Sequence, residues 1–224
     1  MEKFNKYLVV YVFSKFDDID RFRNFINSYK NNPPGHPHKF IICFKLLDKS
    51  KLDLCRSIAS GISYQEFIDP VQINDFEFKT MERAIEKYSD YIVIFLISHC
   101  QFERPNWLKV INESFFNNSF MGFSGSNESI FSSLRFKKFW KIYSYLKQYF
   151  NLKKNFPKFP NPHVRGPSFV LKQNDFLEYV KTSSLVSLKD NLKYNFFDNQ
   201  RSHIYELVYI LMLDDFEYVF LLSR

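Results

Sequence analysis

Glycine is scarce in this chain, five residues in 224. A P-loop is absent, and FSKFDD, which follows the first apolar run, has none of the glycines of a G-x-G-x-x-G dinucleotide turn. G-x-S-x-G and H-E-x-x-H are missing too, which removes the common hydrolase and zinc-protease signatures. The three cysteines, Cys43, Cys55 and Cys100, form no C-x-x-C pair and have no histidine at ligand spacing. Neither a disulfide framework nor a zinc site is indicated, and a reducing cytoplasm is the expected setting. Long apolar runs are also lacking. MEKFNKYLVVYVFSKF is charged on both sides of about seven apolar residues, and LVYILMLDDFEYVFLL is interrupted by Asp214, Asp215 and Glu217. Neither stretch reads as a signal peptide or a transmembrane helix.

What is present is aromatic and basic: 28 Phe, 14 Tyr, and 31 basic against 24 acidic residues for a net charge of +7. Phe, Lys, Asn and Ile are also the residues that AT-rich codons favour, so composition alone is weak evidence for an anionic partner. A nucleic-acid-binding reading rests on charge only, with no recognisable nucleic-acid motif behind it. An apolar fraction of 46% over this length is enough for one substantial core. No repeat or linker divides the chain, and a single domain over 1–224 is expected.

Short apolar runs recur at YLVVYVF (7–13), KFIICF (39–44), YQEFIDPV (64–71) and YIVIFLI (91–97). Such runs read as strands buried on both faces. Between them, Ile19, Phe22, Phe25, Ile26 and Tyr29 fall on one helical stripe, and Phe78, Met81, Ala84, Ile85 and Tyr88 on another. NWLKVINESFFNN and NDFLEYVKT are further helix candidates, with SFVL between the proline cluster and the second. Alternating strands and helices predict an α/β fold with a mostly parallel sheet and a ligand crevice at the strands' carboxyl ends. That gathers Ser14 to Asp18, Asp69 and Ser98 to Glu103 around one crevice.

Four segments carry candidate chemistry. SHCQFE follows the fourth run, where an Asp-x-Asp pair would clamp a divalent cation, but it carries Ser98, His99 and Cys100, which read equally as a polar turn. FSGSNES displays Glu128 on a small-residue turn, either as a general base or as the acidic first turn of a helix capped by Ser126 or Asn127. The segment 134–155 sets Phe136, Phe139, Trp140, Tyr143 and Leu146 on a stripe among lysines, either a core helix or a contact with an anionic membrane. FPKFPNPHVRGPSF holds four prolines in 11 positions around His163 and Arg165. Stiff backbone there suits an anion grip, and suits an ordinary surface loop as well.

FPNPHVRGPSFVLKQNDFL resembles the F-P-N-P-H-I-R-T-N-A-F-L-I-x-R-x-x-F stretch of bacterial glycosyltransferase-like proteins of GT-A-type fold, linked to surface polysaccharide synthesis. DFEFKTM (75–81), DYIVIFLISHC (90–100), NWL (106–108) and MGFSGSNES (121–129) precede it in that group's order, and FFDNQRS resembles a later motif. The chain departs from the pattern at Glu77, Lys79, Ile97, Gly166, Pro167, Asp198 and Gln200.

The resemblance implies a GT-A-like three-layer sandwich, with 1–100 as the nucleotide-sugar half and 101–224 as the acceptor half, interrupted by a basic aromatic insertion. It implies transfer of a sugar from a nucleotide donor to a glycan or lipid-linked acceptor. Glu77, Ser98 and His99 would hold the donor, and His163 and Arg165 its diphosphate. Glu128 would be the general base, with Asp198 the rival carboxylate. Manganese or magnesium is expected only loosely, since the Asp-x-Asp pair is missing. A cytoplasmic protein, peripheral on the membrane through 134–155, is the expected location. The alternative is a non-catalytic carbohydrate- or nucleotide-binding module, altered at Lys79 and Ile97.

Overall fold

A computed structural model describes residues 6–72, 76–115, 119–123, 125–126, 163–164, 168–182 and 217–220. Its first half alternates strands and helices in the expected order: β1 (Tyr7–Ser14), α1 (Ile19–Asn31), β2 (Lys39–Lys45), α2 (Lys49–Ile58), β3 (Gln65–Ile68), α3 (Phe76–Ile85) and β4 (Ile92–Ile97). Then come α4 (Trp107–Ser114), β5 (Ser119–Gly122), β6 (Gly125–Ser126), β7 (His163–Val164), β8 (Phe169–Lys172), α5 (Gln173–Thr182) and β9 (Glu217–Phe220).

Seven strands form one sheet in the order β3-β2-β1-β4-β8-β5-β9. β3, β2, β1 and β4 are mutually parallel, whereas β8 runs antiparallel to both of its neighbours, β4 and β5. The sheet is therefore mixed: four of its six strand pairings are parallel, and β8 is the one described strand that runs against the rest. The antiparallel strand is four residues long, too short for its apolar run to reveal direction.

Alternation along β1 explains why its run is continuous. Tyr7, Val9, Tyr11 and Phe13 pack with Phe22, Phe25 and Ile26 of α1, Cys55 of α2 and Trp107, Leu108 and Ile111 of α4. Leu8, Val10 and Val12 pack on the other face with Phe78, Met81, Ala84 and Ile85 of α3 and Phe176 and Val180 of α5. Helices thus cover both faces of the sheet, giving three layers.

Two sequence expectations shift. β3 is an exposed edge strand rather than a doubly buried one, and Ile68 is 49% exposed. Tyr88 lies beyond the end of α3, although it still packs on the core. Ser126 ends β6, paired with His163 of β7, and the residues after it, on which the reading of Ser126 or Asn127 as a helix cap depends, lie outside the described residues.

Capping is conventional at α1 and α2, where the Asp18 and Asp48 carboxylates accept from Asp20 N (2.9 Å) and Lys51 N (2.8 Å). It is tertiary at α4. Asn106 is left-handed (φ 60°) and makes no side-chain cap, and the carbonyls of Pro33 and Pro34 accept from Asn106 N (2.7 Å) and Leu108 N (3.0 Å) instead. Gly35 completes this junction, since a Cβ there would stand 2.4 Å from Asn106 Oδ1.

Nearby, His38 is held neutral. Its Nδ1–H donates to the His36 carbonyl (3.1 Å), so Nε2 accepts from the Tyr29 hydroxyl at 2.7 Å. Burial lowers its pKa. The unfolded chain then takes up the proton first, so stability is lost as pH falls below the ordinary histidine value of about 6.5. Urea denaturation from pH 7.5 to 5 should show a steeper loss for the natural chain than for His38→Gln. Parallel curves would show that His38 contributes none of it.

Candidate functional site

The chain winds outward from β1 through α1 to β2 and β3, then returns through α3, on the opposite face, to β4 beside β1. The carboxyl ends of β1 and β4 are therefore a topological switch point, where open α/β sheets leave a crevice. Polar groups converge there. Asp17 Oδ2 accepts from Ser14 N (2.7 Å) and Ser14 Oγ (2.8 Å), and Oδ1 accepts from Ser98 Oγ (2.6 Å). One carboxylate thus ties the end of β1 to the end of β4. Lys51 fixes the same loop from α2, donating to the Lys15 (3.0 Å) and Asp17 (2.7 Å) carbonyls. The loop holds Phe16 out at 62% exposure, with Lys15 Nζ 5.0 Å from its ring centre.

Asp17→Asn should lower stability by about 1–3 kcal/mol, because an amide cannot accept all three hydrogen bonds and Ser98 is buried. Chemical denaturation reads this directly. A change below about 0.5 kcal/mol would mean that the loop is held by other contacts.

Across the mouth, Arg21 Nη1 meets His99 Nε2 at 3.1 Å. Behind the turn, Cys100 Sγ lies 3.1 Å from Ser168 Oγ, just before β8, and burial raises the thiol pKa. Cys100 is accordingly a protonated thiol, unsuited to nucleophilic attack. The Tyr11 hydroxyl, buried beneath, has no hydrogen-bond partner among the described residues, and burial followed by the charge of Asp17 pushes its pKa up.

Beside the crevice, at the carboxyl ends of β2 and β3, lies a buried charge cluster. Asp69, fully buried, accepts from Lys45 Nζ (3.2 Å), Arg83 Nε (2.9 Å), Arg83 Nη2 (2.6 Å), Thr80 Oγ1 and Val71 N (3.1 Å). Burial opposes its charge, yet Arg83, Thr80, Val71 N–H and Lys45 together bring its pKa down to about 2. Asp69 therefore sits at a carboxyl end as expected, but it is sealed beneath α3 rather than open to the crevice.

Of the residues singled out by sequence, Ser98 is buried in the Asp17 network, His99 is exposed at the mouth, and Glu77 is half-buried in the first turn of α3. His163 lies in β7, opposite Ser126. Glu128, Arg165, Asp198 and the segment 134–155 lie outside the described residues. Arg21, Ser168, Lys45, Thr80 and Arg83 were not singled out by sequence, whereas Asp17 and Asp69 were expected at the crevice without an assigned role; the signal that placed Asp17 was the polar Ser and Asp that interrupt the apolar pattern just after β1.

The described turn does not suit a hard divalent cation. Ser98 is committed to Asp17, Cys100 is a thiol, and the guanidinium on His99 repels positive charge. No group of three or more His, Cys, Asp or Glu able to hold a metal occurs among the described residues, nor is any described helix long and apolar enough to cross a membrane.

No family model matches the chain, and no curated protein matches it. Among solved structures it is similar to S. aureus TarS 1–349, at 11% identity and a TM-score of 0.41. The match covers 52% of this chain and 34% of that one, so the chain spans about a third of the structure it resembles.

Proposed function

We propose that the chain is a GT-A-like glycosyltransferase, moving a sugar from a nucleotide-sugar donor to a glycan or lipid-linked acceptor in cell-surface polysaccharide synthesis. The observation that carries this reading is convergence at one sheet edge. β5 ends and β8 begins at the edge where β1 and β4 end, β6 pairs with β7 between them, and Ser168 touches Cys100. Gly125–Ser126 and His163–Val164, from the two segments that carry the sequence resemblance, are thereby paired with each other, which supports a shared role for those segments.

In this reading Ser98, His99 and Glu77 line the donor side. Glu128, or its rival Asp198, takes the proton from the acceptor hydroxyl, whose oxygen then attacks the anomeric carbon. The bond from that carbon to the diphosphate oxygen breaks, and the nucleoside diphosphate leaves with the electron pair. His163 and Arg165 stabilise the charge that develops on it. The protein works in the cytoplasm, with 134–155 as its contact to the membrane.

The test is a donor-hydrolysis and transfer assay across the common nucleotide sugars, each with and without manganese or magnesium. Turnover of one donor supports the reading. Binding without turnover under every condition favours the non-catalytic module, a reading supported by Lys79, which stands at a glycine position of the family pattern and pairs with Glu82 at 2.8 Å.

A further inference from the structure

Arg21 occupies an electrostatically awkward position. It lies in the first turn of α1, whose positive dipole end disfavours a cation, and its guanidinium lies against an imidazole. Each acidic neighbour on this loop is otherwise engaged: Asp17 holds Ser14 and Ser98, Asp18 caps the helix through Asp20 N, and Asp20 pairs with Arg23. Among the described residues no carboxylate pairs with Arg21.

Because a guanidinium only donates, His99 Nε2 accepts and the ring proton sits on Nδ1. The pair, exposed on both sides, therefore keeps N–H donors that no hydrogen bond among the described residues uses, at the start of α1 and just after the end of β4. Lys15 stands on the same loop, and Lys51 Nζ is anchored to that loop's carbonyls. An anion seated there would offset both the helix dipole and the unpaired guanidinium.

We propose that Arg21 and His99 form an anion grip for a diphosphate, the phosphate-binding end of the crevice. Its assignment to the leaving diphosphate of a nucleotide sugar rests on the function proposed above, while the grip itself does not need turnover. Arg21 orients and binds phosphate oxygens with its free guanidinium edge, and His99 supplies the second donor.

The experiment is calorimetric titration of the full chain at low salt with inorganic pyrophosphate and with the diphosphates of uridine, guanosine and adenosine. At least one probe should bind, with Arg21→Gln weakening it by about tenfold or more and His99→Gln by less. Arg23→Gln, which removes an equal charge two positions away from a residue already paired with Asp20, should change affinity by less than about twofold. An unaffected Arg21→Gln, an equal loss in Arg23→Gln, or no binding of any probe would each overturn the grip. Equal losses for pyrophosphate and nucleoside diphosphate place the contact on phosphate, and a loss confined to the nucleoside diphosphates overturns that assignment. Nucleotide-sugar turnover with unchanged KM in Arg21→Gln sinks the grip and leaves the transferase reading standing. Arg21-dependent pyrophosphate binding in a protein that turns over no sugar does the reverse.

Discussion

Asp69→Ala is expected to destabilise the protein by about 3–5 kcal/mol, the usual cost of breaking a buried ion pair from one side. Lys45 is 1% exposed, and the substitution leaves its ammonium, together with part of Arg83, beneath α3 without the carboxylate they share. The penalty comes from stranded charge more than from lost attraction. A double variant, Lys45→Met with Asp69→Leu, should therefore recover much of the loss, and the cycle of single and double variants measures the coupling. Acid gives a second readout. The Asp69 pKa is about 2, below the unfolded value, so its contribution is fully present above about pH 3.9 and is lost as pH falls through about 2. That amounts to about 2 kcal/mol, which Asp69→Ala should no longer show. A loss below about 1 kcal/mol in urea, with an unchanged acid limb, would mean that the cluster relaxes or takes up water when opened.

Arg165→Ala is expected to lower sugar-transfer turnover by about 10²-fold while leaving the thermal midpoint unchanged. The residue follows β7 directly and stands three positions before Ser168, which touches Cys100 at the end of β4. A planar guanidinium can hold two diphosphate oxygens at once, so Arg165→Lys should restore only part of the rate. Turnover within about twofold of the natural chain in Arg165→Ala would remove this residue from the mechanism and leave the phosphate work to Arg21 and His99.

These two residues also mark how far sequence reading reaches. β1, β2 and β4 were legible to within a residue at either end, because a strand buried on both faces must be apolar at every position. The inward faces of α1 and α3 followed from their 3.6-residue spacing. β3 misled because YQEFIDPV mixes polar and apolar residues, as an edge strand does. Nothing in the sequence marked Lys45: a lysine closing an apolar run reads as the exposed end of a strand, and Asp69 and Thr80, which accept from its ammonium, arrive from distant segments.

The sequence by itself determined the α/β alternation, the faces of the helices and the set of polar residues that follow each strand, since these depend on local periodicity. Tertiary structure alone decided that β8 enters antiparallel, that the Pro33 and Pro34 carbonyls cap α4, and that Asp17 meets Ser98 across 81 positions. It also separated two carboxylates that look alike in sequence, Asp69 sealed in an ion cluster and Asp17 at the crevice mouth. Local sequence encodes a pattern of burial, whereas the partner of a buried polar group is set by whichever distant segment packs against it.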